Sequence, residues 1–149
     1  MVGQHGKIHL RSDYKRLQVI EGKNSGNSSK ENTVTNISGF AFSRKTSSVL
    51  KDQAINEMMK CTGEVIYKDF SACNRFDVMD TVNSIRAPAL IICGNDDTLT
   101  LPKYSLYLHE AIKGSRLTLI DDAGHMVMME QPMEVNREIE RFVLDRKKP

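Results

Sequence analysis

The sequence predicts an α/β chain: a helical layer followed by a strand–helix–strand–helix unit whose strands run parallel. Three observations carry this. Residues 89–93, Ala-Leu-Ile-Ile-Cys, form a short apolar run closed by Gly94, the pattern of a strand buried on both faces of a parallel sheet. Between residues 88 and 143 the pattern alternates strand, helix, strand, helix, and such crossovers join parallel strands with a right-handed turn. Residues 30–80, in contrast, repeat their apolar positions at helical spacing and contain no strand pattern of their own.

Taken in order, residues 1–29 are a poorly patterned N-terminal segment. Ser12 or Asp13 can cap a short helix presenting Tyr14, Leu17 and Ile20 or Glu21, which Gly22 would end. Residues 22–30, rich in Gly, Asn and Ser, read as a polar surface loop. A helix is expected over residues 29–43, with Val34, Ile37 and Ala41 on one face and Phe40 and Phe42 near its end; Gly39 weakens it by roughly 1 kcal/mol relative to Ala. A second helix starts at Ser47 or Ser48 and presents Leu50, Ala54, Ile55 and Met58. A third starts at Thr62 and carries Ile66, Phe70 and Cys73 on one face. Residues 76–80 are expected to form a single helical turn leading through Ile85 to the first strand.

After that strand, Pro102 suits the first position of a helix running to Lys113, with Tyr104, Tyr107, Leu108 and Ala111 facing inward and Gly114 as its C-terminal cap. Residues 116–120, Arg-Leu-Thr-Leu-Ile, alternate as a second strand. The loop Asp121-Asp122-Ala123-Gly124-His125 follows, and the last helix begins near Pro132 with the stripe Val135, Ile139, Phe142 and Val143.

Composition narrows the function classes. With 149 residues, 40% hydrophobic and 27% charged, the chain reads as one ordinary globular domain. A net charge of +2 with scattered basic residues argues against nucleic acid as a partner, and Arg146-Lys147-Lys148 reads as a solvated tail. No apolar run approaches the roughly 20 residues of a membrane span, and residues 1–7 lack the apolar core of a signal peptide. Cys61, Cys73 and Cys93 are odd in number and show no Cys-x-x-Cys spacing, so no disulfide framework or metal knuckle is expected and a reducing, cytoplasmic setting is. Cys93 reads as a small core residue. No metal or cofactor is expected: His5 and His9 share no helix, and His109 falls opposite the apolar stripe of its helix, facing solvent.

The chemistry-bearing residues lie in the two loops that follow the strands. Asp96 and Asp97 come after the first and His125 after the second. Loops that follow neighbouring parallel strands share one sheet edge, where open α/β sheets carry their sites. A carboxylate on one imidazole nitrogen selects the tautomer and stabilises the imidazolium formed on proton uptake. Asp-rich turns and Gly-His pairs also arise without function, so spacing alone leaves a plain turn and a catalytic pair both open.

Residues 81–143 resemble the C-terminal part of α/β-hydrolase fold enzymes, the esterase, lipase and acyl-transfer relatives. The residues carrying the resemblance are Ile85-x-x-Pro88, Leu90-Ile91-Ile92-Cys93-Gly94-x-x-Asp97, Leu99-Thr100-x-Pro102, and Ala123-Gly124-His125 with Glu130-x-Pro132 and Val135 behind it. Phe70-Ser71-Ala72-Cys73-Asn74 and Phe76-Asp77-Val78-Met79-Asp80 resemble the helical cap of the same superfamily. The resemblance implies residues 30–86 as a helical cap and residues 87–149 as the C-terminal βαβα part of a partial hydrolase core. It implies Asp97 as the acid and His125 as the general base of a catalytic triad. Asp96 fits less well, since the family acid stands three residues after the glycine. It further implies a small-molecule, ester-like substrate, with Met126, Met128 and Met129 either packing against the cap or lining an acyl pocket.

One part of that pattern is missing. The nucleophile of this fold sits on a Gly-x-Ser-x-Gly elbow, and no serine here has that setting: Ser28 follows Gly26 but has Lys30 where the second glycine belongs. No strand leads into the Gly3-to-Gly6 stretch as an oxyanion loop requires. The nucleophile, whether Ser, Cys or Asp, is therefore expected outside this chain. Two strands cannot cover a strand apolar on both faces, so the chain is expected either to be the C-terminal fragment of a hydrolase of roughly twice the length, inactive alone, or to form a homo-oligomer through its unsatisfied sheet edge. The reading from a different class is a non-catalytic binding or assembly module derived from a hydrolase.

Overall fold

The computed structural model of the chain describes residues 27–145. The short helix expected within residues 12–22 and the basic tail lie outside them. Helix α1 (Asn27–Ala41), α2 (Ser48–Met58) and α3 (Gly63–Arg75) come first. A 3-10 turn (Val82–Ser84) leads to β1 (Leu90–Gly94), α4 (Pro102–Ala111), β2 (Arg116–Ile120), α5 (Val127–Glu130) and α6 (Pro132–Asp145).

The three leading helices start and pack as their sequence dictates. The Ser47 hydroxyl accepts the Leu50 N–H at 3.4 Å and the Thr62 hydroxyl accepts the Val65 N–H at 3.3 Å, each satisfying an otherwise orphaned first-turn donor. Their apolar faces meet in a core of Val34, Ile37 and Ile66, flanked by Ile55, Met58, Met59 and Phe70. Leu99 joins this core from the loop after β1, so the helical layer rests on the segment that carries Asp97.

Strands β1 and β2 pair in parallel, in a register that places Leu90 beside Arg116 and Gly94 beside Ile120. They therefore finish side by side and release their following loops at one edge. A second core, of Ile120, Ala123, Val127 and Val135 with Ile92 against it, seats α5 and α6 on the sheet.

Several expectations change. The helical turn expected at residues 76–80 forms instead at Val82–Ser84, because the Asp77 carboxylate takes the Met79 N–H at 3.1 Å and competes with helical pairing. Helix α4 stops at Ala111 rather than Lys113: Ile112 turns extended and buries its side chain, and Gly114, at φ +77°, closes the reversal two residues later. Helix α5 had no periodic signal. The strand expected to be buried on both faces is so only at its end, at Cys93 and Gly94; residues 90–92 are half-buried. In α6 only Val135 of the expected stripe is buried, while Ile139 and Val143 are 45% and 47% exposed. A two-stranded sheet has too little surface to cover either face.

Candidate active site

Two glycines let the strand-end loops touch. A Cβ on Gly94 would stand 2.2 Å from the Gly124 carbonyl oxygen and 2.3 Å from that of Ala123, and one on Gly124 would stand 2.7 Å from Ser43 N. Only glycine fits at such backbone-to-backbone contacts. The loops are then laced together, with the Asn95 N–H donating to Ile120 O at 2.8 Å and the Asp96 N–H to Ala123 O at 2.9 Å.

This lacing brings Asp97 and His125 into contact. Asp97 Oδ2 lies 3.0 Å from His125 Nδ1, with the aspartate side chain 4% exposed and the imidazole 35% exposed. The other carboxylate oxygen, Oδ1, accepts the N–H groups of Leu99 and Thr100, both at 2.8 Å. The Thr100 hydroxyl is 2.8 Å from Asp97 Oδ2 and 3.0 Å from His125 Nδ1. An ionised carboxylate only accepts, so the hydroxyl donates to Asp97 and turns a lone pair toward the ring nitrogen. Nδ1 then carries the proton that both oxygens receive, and Nε2 is left as the basic nitrogen. Among the described residues no hydrogen bond reaches Nε2.

Burial pushes the Asp97 carboxyl up, but the hydrogen bonds from His125 and from the Thr100 amide and hydroxyl overcome it and hold the group below its ordinary value. The pair is thus a buried, ionised carboxylate beside a half-exposed imidazole at the sheet edge. Such a pair can take a proton at Nε2 and stabilise the cation that results.

Of the residues singled out in the sequence, Asp97 and His125 come together and Asp96 does not join them. Asp96 Oδ2 instead accepts the hydroxyl of the buried Ser43 at 2.6 Å. Met128 is 52% exposed, and Met126 and Met129 are half-buried. Cys93 is buried, its thiol pushed up by burial, and Cys61 and Cys73 are exposed free thiols. His109 is exposed, with Nδ1 2.9 Å from the Ser115 hydroxyl. Among the described residues no group of side chains is arranged to hold a metal ion, and no helix is long and apolar enough to cross a membrane.

Sequence reasoning assigned no role to Thr100, Ser43 or Glu130. Thr100 carried one usable signal, a hydroxyl three residues after an aspartate in a turn. Glu130 accepts the Gly124 N–H on one oxygen at 2.8 Å and the Ser43 N–H on the other at 2.9 Å, together with the Thr46 hydroxyl. Nothing in local sequence announces a contact between residues 84 to 87 positions apart.

Comparison with known proteins agrees with the fold. A family model described as alpha/beta hydrolase fold matches residues 10–132. The chain is similar to the pimeloyl-[acyl-carrier protein] methyl ester esterase of Neisseria meningitidis, 31% identical over 70 residues, which cover 46% of this chain and 27% of that protein. It is 34% identical over 68 residues to the proline iminopeptidase of Saccharolobus solfataricus, covering 46% of this chain and 22% of the other. The solved structure of a thermophilic esterase superposes with a TM-score of 0.74 at 28% identity, covering 89% of this chain and 50% of that one. The chain thus spans about half of the solved esterase, and its matches take in about a quarter of the two curated relatives.

Proposed function

The chain belongs to the alpha/beta hydrolase fold family, and from that premise we propose that it supplies the acid and the base of an acyl hydrolase acting on a small ester-like substrate. His125 is the general base, working through Nε2, and Asp97 holds its tautomer and stabilises the imidazolium. The observation that carries this reading is the 3.0 Å contact between Asp97 Oδ2 and His125 Nδ1 at the ends of two adjacent parallel strands. The esterase and peptidase names of its relatives share acyl transfer to water, which is the chemistry such a pair serves.

In this reading residues 30–86 are the cap and residues 87–149 the C-terminal part of the core. The nucleophile comes from a segment outside the 149 residues, since no Gly-x-Ser-x-Gly occurs in them. The chain alone is then inactive. Two exposed free thiols, Cys61 and Cys73, favour a reducing compartment such as the cytoplasm. A second reading, a binding or assembly module that has given up catalysis, is favoured by the exposed apolar side chains Leu119, Ile139 and Val143.

The test is hydrolysis of p-nitrophenyl acetate by the chain alone and by the same chain extended upstream through its coding sequence. The extended protein should turn over the ester, and His125→Ala should lower kcat at least about a thousandfold. An extended protein that keeps its rate in His125→Ala overturns the assignment, and one with no turnover and no reaction with a fluorophosphonate supports the binding module instead.

A further inference from the structure

Glu130 ends the four-residue helix α5, five positions beyond His125, and its carboxylate returns to the loop that the histidine occupies. The turn is drawn tight by the N–H groups of Met129 and Glu130, which both donate to Met126 O, at 2.8 and 3.0 Å. Glu130 Oε1 then accepts the Gly124 N–H at 2.8 Å, closing the backbone on either side of His125 into a ring. Glu130 Oε2 accepts the Ser43 N–H at 2.9 Å and the Thr46 hydroxyl, binding that ring to the connection between α1 and α2. On the far side of His125, the Met126 N–H donates to Ala41 O at 3.0 Å. Both peptide N–H groups that flank the histidine are therefore held, one by Glu130 and one by the end of α1. The same connection also registers the acid loop, through the Ser43 hydroxyl on Asp96 at 2.6 Å.

The donors that meet at Glu130 are two backbone N–H groups, one at each carboxylate oxygen, and a hydroxyl. Only a carboxylate answers three donors with two acceptor oxygens; an amide would turn its own N–H2 toward one of them. We infer that Glu130 is a positioning residue for His125, setting the imidazole against Asp97 by clamping the Gly124 N–H to the Ser43–Thr46 turn. This inference deepens the catalytic reading above and rests on it for its bearing on rate, but the geometry it predicts is measurable in the chain itself.

The test compares wild type with Glu130→Gln and Glu130→Ala, using Val82→Ala as a control that opens a buried site in the 3-10 turn, outside both loops. The readout is the tautomer of His125 from long-range nitrogen–proton NMR spectra above neutral pH, alongside the thermal midpoint. Wild type and Val82→Ala should show a single Nδ1–H tautomer. Glu130→Ala should show mixed tautomers, and Glu130→Gln, with one acceptor oxygen kept, an intermediate population. If Glu130→Ala does not fold, Glu130→Gln decides the matter. An unchanged tautomer in the folded Glu130 variants overturns the inference, as does equal mixing in Val82→Ala, which would mark a general loss of packing. In the extended enzyme, Glu130→Ala should lower kcat about a hundredfold with KM unchanged. Should His125→Ala leave that enzyme's turnover intact while Glu130→Ala still mixes the tautomers, the catalytic reading fails and the positioning role stands.

Discussion

Gly94 and Gly124 meet backbone to backbone: a Cβ on Gly94 would lie 2.2 Å from the Gly124 carbonyl oxygen. The obstacle is main chain on both sides, which no rotamer change can relieve. Gly94→Ala is therefore expected to push the histidine loop off the end of β1 and to destabilise the chain by about 1–3 kcal/mol, the usual range for overpacking. Urea denaturation checks the stability, and loss of the single His125 tautomer checks the displacement.

Thr100 separates a packing role from a hydrogen-bonding one. Thr100→Val keeps the shape and the backbone N–H but removes the hydroxyl that donates to Asp97 Oδ2 at 2.8 Å. Losing a hydrogen bond to a charged, buried acceptor should cost about 1.5–3 kcal/mol and let the Asp97 carboxyl rise toward its ordinary value. Thr100→Ser should behave as wild type. Equal urea midpoints for the Val and Ser variants would remove the hydroxyl from the account.

The acid limb of stability should carry the signature of Asp97. Its folded-state pKa is lowered from 3.8: burial alone would raise it, and the hydrogen bonds of His125 and Thr100 outweigh that. A carboxyl depressed on folding contributes stability that is full above its unfolded pKa and is lost as pH falls through the folded value. Wild type should thus lose stability from just above pH 4 downward, and Asp97→Asn, already weaker at neutral pH, should show a flatter limb there. Urea midpoints across that window measure both slopes, and parallel limbs would contradict the shift.

The uncovered apolar side chains predict association. Leu119, Ile139 and Val143 are 37%, 45% and 47% exposed on the strand and helix that two strands fail to cover. Sedimentation velocity should show concentration-dependent self-association, and Leu119→Lys with Ile139→Lys should shift the chain toward monomer. A compact monomer at all concentrations would mean that these faces do not drive association.

Much of the fold was legible because its signals are local. Residues 116–120 alternate and form a strand with the expected bounds; the helices expected to start at Ser47 or Ser48 and at Thr62 do start there, with Ser47 and Thr62 as their caps; Pro102 and Pro132 open theirs. Where an element's place or end slipped, at residues 76–80 and at the end of α4, a side chain had intervened. Asp77 captured the Met79 N–H and moved the helical turn, and Ile112 left the helix early to reach the core.

The candidate site divides along the same line. By itself the sequence determined that Asp97 and His125 each follow a strand, and that parallel strands bring such loops to one edge, since period and turn chemistry are written in neighbouring residues. Only the tertiary structure decided that Thr100 shares the Asp97–His125 contact, and that Glu130 ties Gly124 to Ser43, which lies 87 residues before the glutamate. The first joins three side chains and the second joins a side chain to backbone N–H groups, all brought together where Gly94 and Gly124 approach closely, and a hydroxyl or N–H waiting for a carboxylate leaves no periodic trace in a sequence.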